Sequence, residues 1–138
     1  MKITKVYDRK YNGRRIIVMH HSFEHLPEEL NDDFMMNWYC GYMEILASDK
    51  DYTAVNENEC PVDEDCVVAL YPSAIGWVNW VGCFPQEGID DNNNYVGFST
   101  DHYFPHEYQP TLKDVVKSLH DMVDKDQVAI NGGKNNED

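Results

Sequence analysis

Ile3-Thr4-Lys5-Val6-Tyr7-Asp8-Arg9-Lys10-Tyr11-Asn12-Gly13-Arg14-Arg15-Ile16-Ile17-Val18-Met19 holds two β-rich runs, Ile3 to Tyr7 and Arg15 to Met19, joined through Lys10-Tyr11-Asn12-Gly13. Asn-Gly is a strong two-residue turn signal, because both residues accept the positive φ that a type I′ turn demands. The stretch predicts an antiparallel hairpin, and the rest of the chain supplies partners for it.

Outward from the hairpin, Trp38 to Leu46 alternates as a strand does. Trp38, Cys40, Tyr42 and Leu46 lie on one face, and Tyr39, Met43 and Ile45 on the other. Cys66 to Leu70 and Trp77 to Cys83 are short β-type runs separated by Tyr71-Pro72-Ser73-Ala74-Ile75-Gly76. Pro and Gly punctuate a turn there, so the two runs are expected to pair as antiparallel neighbours. Tyr95 to Thr100 is a further strand after the turn-forming stretch Gln86 to Asn94. Between the hairpin and Trp38, His20 to Leu26 reads as a loop, and Pro27-Glu28-Glu29-Leu30 as one or two helical turns opened by Pro.

The one strong helix signal lies near the end. Leu112, Val115, Val116, Leu119, Met122 and Val123 fall on one stripe, with Thr111 as N-cap, Asp114 at the third helical position and Pro110 ahead. The reading is an α+β fold: an antiparallel sheet of about five to six strands with a C-terminal amphipathic helix, residues 111–125, packed on one face. One domain is expected over residues 1–128, with a flexible tail over 129–138 that contains Gly132-Gly133.

Charge is the strongest compositional signal. The 138 residues carry 25 acids and 11 bases, a formal charge of −14, and the sign changes along the chain. Residues 1–15 hold six bases and one acid, whereas residues 16–112 hold 18 acids and Lys50 alone as base. Such a field repels nucleic acid and anionic lipid and draws in basic partners at rates that fall with salt.

Ser48 to Asp65 has no apolar periodicity and reads as a long acidic surface loop; loops of that length are often functional. Together with Gln86 to Asn94 it supplies the candidate partner-binding residues: Asp49, Asp51, Glu57, Glu59, Asp63, Glu64, Asp65, Glu87, Asp90 and Asp91. The expected partner is a host protein with a basic nucleic-acid-binding surface, with no direct contact to nucleic acid or membrane. The apolar runs fall short of the roughly 18 residues that cross a bilayer, and Met1-Lys2-Ile3-Thr4-Lys5 is not a secretory signal. A cytoplasmic location follows as the expectation, with Cys40, Cys60, Cys66 and Cys83 as thiols.

Catalytic signatures are missing. The sequence has no G-x-S-x-G elbow, Walker-type loop, H-E-x-x-H or dinucleotide fingerprint, so neither enzyme activity nor a cofactor is expected. The alternative is a small enzyme or metal-binding protein that uses His102 with Asp101 or Glu107, since a carboxylate can orient a histidine that titrates near neutrality. His102 and His106 have an H-x3-H spacing, but Pro105 argues against a helix there. His20, His21, His25 and the cysteines lack the pairing of a zinc site, so no metal is expected. Trp77 and Trp80 point to opposite sides of one strand, which places at least one in the core and leaves the other as an interface candidate.

Trp38-Tyr39-Cys40-Gly41-Tyr42 and Tyr95-Val96-Gly97-Phe98-Ser99-Thr100-Asp101-His102, followed by the terminal helix, resemble a family of small phage and prophage proteins. That family is built around a W-C-G-Y strand and a later W-x-G-F-D-x-x-H strand. The likeness spans roughly residues 38–124; Tyr39 is inserted here, and Ser99 stands where the family has Asp. The resemblance implies a phage origin, and phage accessory proteins commonly act on host machinery. Joined to the acidic middle of the chain, it suggests an anti-CRISPR-like inhibitor of a host defence complex, with carboxylates mimicking a phosphate backbone in an Arg- and Lys-lined channel.

Overall fold

The computed structural model describes residues 2–22, 37–52, 69–83, 92–101 and 109–132. Its strands are β1 (Lys2–Tyr11), β2 (Arg14–Ser22), β3 (Asn37–Ile45), β4 (Val78–Gly82) and β5 (Asn94–Ser99). They form one five-stranded sheet in the order β1-β2-β3-β5-β4, with every pair antiparallel. The fold is α+β, as the hydrophobic patterning implies.

The hairpin forms at the expected turn. Asn12 (φ 51°) and Gly13 (φ 85°) both take the left-handed conformation that a type I′ connection needs, and Tyr11 pairs directly with Arg14. The register slips between Lys5 and Tyr7, so β1 carries a bulge at Val6 along its exposed side. A bulge and lysines on an outer strand both discourage sheet-to-sheet aggregation.

Consecutive residues of β2 are buried: Ile16, Ile17 and Val18 are fully enclosed, so both sheet faces are covered. Ile16, Val18, Met43, Ile45, Val96 and Phe98 face the terminal helix and pack with Val115, Leu119, Met122 and Val123. Ile17, Met19 and Tyr95 form a second cluster, against which Tyr42 and Trp80 pack.

The helix α1 (Leu112–Asp121) begins where its sequence directs. Thr111 Oγ1 accepts from the Asp114 amide at 3.1 Å, and Asp114 Oδ2 accepts from the Thr111 amide at 2.9 Å, a reciprocal capping box. From Met122 to Gln127 the helix widens to a π-helical stretch, then closes with the short helix α2 (Val128–Ile130). Met122, Val123, Asp126 and Gln127 of the widened stretch are all buried.

Two expectations change. Ala69 and Leu70 belong to a turn instead of a strand, and β4 pairs with β5. The reason is that the backbone of residues 69–76 bonds to the helix: the Ile75 amide donates to Ser118 Oγ at 2.8 Å, and the Ser73 amide to Asp126 Oδ2 at 2.9 Å. Ala129 and Ile130, assigned to the tail, lie in α2, and Asn131 and Gly132 form the turn that ends it. Gly132 (φ 96°) caps it, and Asn131 ties it to Asp49 and Lys50. Five strands are present among the described residues, within the expected five to six. The helical turns at Pro27 and residues 66–68 lie outside them.

Candidate functional site

Two ends of the sheet can be distinguished. At the hairpin end stand Asn12 and Gly13, Ile45, which pairs with Asn94, and Gly82, which pairs with Tyr95. At the opposite end, Ser22 pairs with Asn37, and Ser99 pairs with Cys40. The described residues that flank both acidic stretches stand at the hairpin end. The stretch 53–68 is bracketed by Asp51 and Tyr71, whose side chains hydrogen-bond to each other, and 84–91 by Gly82 and Asn93. Asn93 Nδ2 donates to Glu44 Oε2 at 2.6 Å, which fixes the return point beside β3.

Asp49 and Asp51, the first two candidate partner-binding residues, are not on this surface. Both are only 6% exposed and serve the interior. Asp49 receives a bidentate pair from Arg14, NH1 to Oδ2 at 2.5 Å and NH2 to Oδ1 at 2.7 Å, and also accepts from the Leu46 amide and Asn131 Nδ2. Burial opposes its ionisation, but the bonds from Arg14, Asn131 and the Leu46 amide outweigh it and hold the carboxyl below its ordinary value. Asp51 accepts from the Tyr71 hydroxyl and, at 3.1 Å, from Gln127 Nε2. Tyr71 is buried, and burial together with the Asp51 charge pushes its hydroxyl far above the usual tyrosine range. These two carboxylates therefore lock the hairpin, the 46–52 turn and the end of the helix together.

Glu57, Glu59, Asp63, Glu64, Asp65, Glu87, Asp90 and Asp91 lie outside the described residues. What the framework shows is how charge is divided. It contains ten of the 11 Lys and Arg residues but nine of the 25 acids. Most of those nine are engaged: Asp8 with Arg15 and Lys5, Glu44 with the Arg15 amide, Asp114 in the cap, Asp121 with Lys117, Asp124 with Tyr11 and Asn12, and Asp126 with Ser73. The Arg15 bond is the main reason the Asp8 carboxyl falls to about 2. The bases also concentrate on one side: Lys2, Lys5, Arg9 and Lys10 line β1, while β4 at the other edge carries none.

At the opposite end of the sheet the alternative site is only partly described. Asp101 accepts a hydrogen bond from the Ser99 hydroxyl. His102, His106 and Glu107 lie outside the described residues. His21 stacks on Trp38 with ring centroids 5.3 Å apart, and burial lowers its pKa. Cys40 is buried, and burial pushes its thiol up, away from the thiolate that a nucleophile requires. Among the described residues no three His, Cys, Asp or Glu side chains are grouped to hold a metal ion.

Of Trp77 and Trp80, Trp80 packs edge-on against Tyr42, with centroids 5.5 Å apart. Trp77 is 62% exposed and takes φ 52°. Sequence reasoning anticipated that at least one of them packs on the core, as Trp80 does, but not the backbone conformation of Trp77. It also missed Arg14, Tyr71, Gln127 and Asn131 as partners of the buried acids. Asp49 lies 35 residues from Arg14 and 82 from Asn131, and no local pattern signals such pairings.

No family model, curated protein or solved structure matches the chain. Among the described residues no helix is long and apolar enough to cross a membrane.

Proposed function

We propose that the chain is a phage-type acidic binding protein that inhibits a host nucleic-acid-binding defence complex, in the manner of an anti-CRISPR protein, by presenting carboxylates in place of a phosphate backbone. The observation that carries this reading is the division of charge: a framework rich in bases and internally paired acids, in which the described residues flanking both acidic stretches stand at one end of the sheet. Eight carboxylates, Glu57, Glu59, Asp63, Glu64, Asp65, Glu87, Asp90 and Asp91, belong to those stretches and form the partner-binding set. Asp49 and Asp51 are removed from it, because their bonds to Arg14 and Tyr71 keep them inside.

Carboxylates attract arginine and lysine as phosphates do, through charge-assisted hydrogen bonds that strengthen where water is excluded. The partner is accordingly a protein of the host bacterial cytoplasm whose basic groove normally holds nucleic acid. The test is displacement: a host protein captured at low salt is loaded with labelled nucleic acid and titrated with the chain. Displacement by the native chain, and its loss on reversing Asp63, Glu64 and Asp65 to lysine, is the expected result. Simultaneous binding of chain and nucleic acid would refute mimicry.

A further inference from the structure

Asp121 and Asp124 are near neighbours on the terminal helix, yet only the first is matched by cations. Lys117 Nζ stands 3.0 Å from the Asp121 carboxylate and Lys125 Nζ 4.0 Å, each four residues away along the helix. Among the described residues no cationic side chain pairs with Asp124, whose bonds are to neutral groups. Its Oδ2 accepts from the Tyr11 hydroxyl at 2.5 Å and its Oδ1 from Asn12 Nδ2 at 2.9 Å. Four residues on, where a lysine would complete the pattern, the chain has Val128. A carboxylate accepts about four hydrogen bonds, so Asp124 retains open acceptor sites as well as an uncompensated charge.

That carboxylate lines a cavity of about 320 Å³ between the hairpin turn and the π-helical stretch. Small-ligand sites occupy about 300–1,000 Å³, and π-helical turns are rare and collect at functional sites. Much of the lining is already committed. The Gln127 side chain bonds to Asp51 and Tyr71, and the Asn131 side chain to Asp49 and the Lys50 amide. Arg14 also lines the cavity, but its charge is cancelled by Asp49, so the lining carries one uncompensated negative charge. The open acceptors are those of Asp124 and the Oδ1 of Asn12, whose Nδ2 holds the two side chains together. Val123 and Val128 add apolar surface beside them.

We propose that this cavity binds a small aliphatic amine, its primary ammonium bonded to Asp124 and Asn12 Oδ1 and its methylene stem laid along Val123 and Val128. An ammonium has three rotatable donors, which suit neighbouring acceptors from two different side chains; a guanidinium is a rigid planar fork that matches a single carboxylate. A calcium ion takes about six to eight oxygens, more than one carboxylate and one amide supply. An anion is repelled by the same uncompensated charge. The site stands apart from the acidic-binding reading and does not depend on it.

Titration of the isotope-labelled intact chain with butylammonium chloride at low salt, followed by amide NMR, tests this. The expected result is saturable shifts at the Asn12 side-chain amide and at the backbone amides of residues 123–131. Asp124→Asn is expected to weaken binding about 5-fold, the factor for a charge pair of about 1 kcal/mol. Val128→Lys, at a half-exposed position, places an internal ammonium four residues from Asp124 and is expected to abolish the response without disturbing the core. Tetramethylammonium, which has no N–H donor, should leave these amides in place. Reversal of Asp63, Glu64 and Asp65 to lysine should leave the butylammonium response unchanged. No saturable shift at Asn12 and residues 123–131, or a response that survives Val128→Lys, would overturn the site. Equal shifts with tetramethylammonium would overturn the ammonium assignment.

Discussion

Gly41 lies opposite Phe98 in the β3–β5 ladder, where Val115 and Leu119 of α1 pack over the sheet. A Cβ built on Gly41 would stand 2.9 Å from Phe98 Cζ, 3.0 Å from Val115 Cγ1 and 3.1 Å from Leu119 Cδ1. One register position away the relationship is reversed on the other face: Tyr42 pairs with Gly97, whose added Cβ would lie 2.5 Å from the Tyr42 ring. The two sequence motifs that suggest a phage family are thus adjacent strands. Each gives up a side chain to make room for an aromatic of the other, one glycine also admitting the helix.

Gly41→Ala is therefore expected to destabilise the fold by about 1–3 kcal/mol, the usual cost of overpacking. Phe98, Val115 and Leu119 are all buried and have little space to retreat. Urea denaturation checks this; a variant as stable as the native chain would show that the helix does not press on β3.

Acid should unfold the domain through its paired carboxylates. Asp49 and Asp8 both have folded pKa values below their unfolded ones, Asp8 at about 2. Their stabilisation is complete above the unfolded value near pH 4 and is lost as pH falls through the folded values, since the unfolded chain then takes up protons more readily. Asp126 works in the opposite sense: burial raises its pKa, so its ionisation costs stability as pH rises past the unfolded value. Asp49→Asn should cost about 3–5 kcal/mol at pH 7, because it leaves Arg14 buried without its counter-charge. Asp126→Asn should stay within about 1 kcal/mol, since an amide can still serve Ser73. Thermal melts between pH 2 and pH 7 on the three chains provide the comparison.

Trp77→Asn relieves a left-handed bulky residue whose conformation costs about 1–2 kcal/mol, so its urea midpoint is expected to equal or exceed the native one. A clear loss of stability would instead mark Trp77 as a packing residue.

Much of this fold was legible in the sequence, for local reasons. Asn12-Gly13 states its turn type in two residues, and Thr111 with Asp114 states a helix start in four. Alternation is readable in Trp38 to Leu46 because the side-chain period of a strand is two. What was not legible depends on distant partners. Hydropathy groups Asp49 and Asp51 with their acidic neighbours, yet Arg14 and Tyr71 draw them inside. The widening of the helix at Met122 leaves no mark in a stripe that continues through Val123. The turn at residues 69–76 resembles a strand connection until Ser118 and Asp126 claim its amides.

The central claim is that carboxylates of the 53–68 and 84–91 stretches occupy a cationic groove, and the salt dependence of binding to the captured host protein tests it most directly. Between 0.1 M and 1 M salt the screening length falls from about 10 Å to about 3 Å. The native chain should lose affinity by about tenfold or more over that range. The Asp63, Glu64 and Asp65 reversal should start weaker and respond with a shallower slope. Equal affinities and equal slopes for the two chains would contradict the claim.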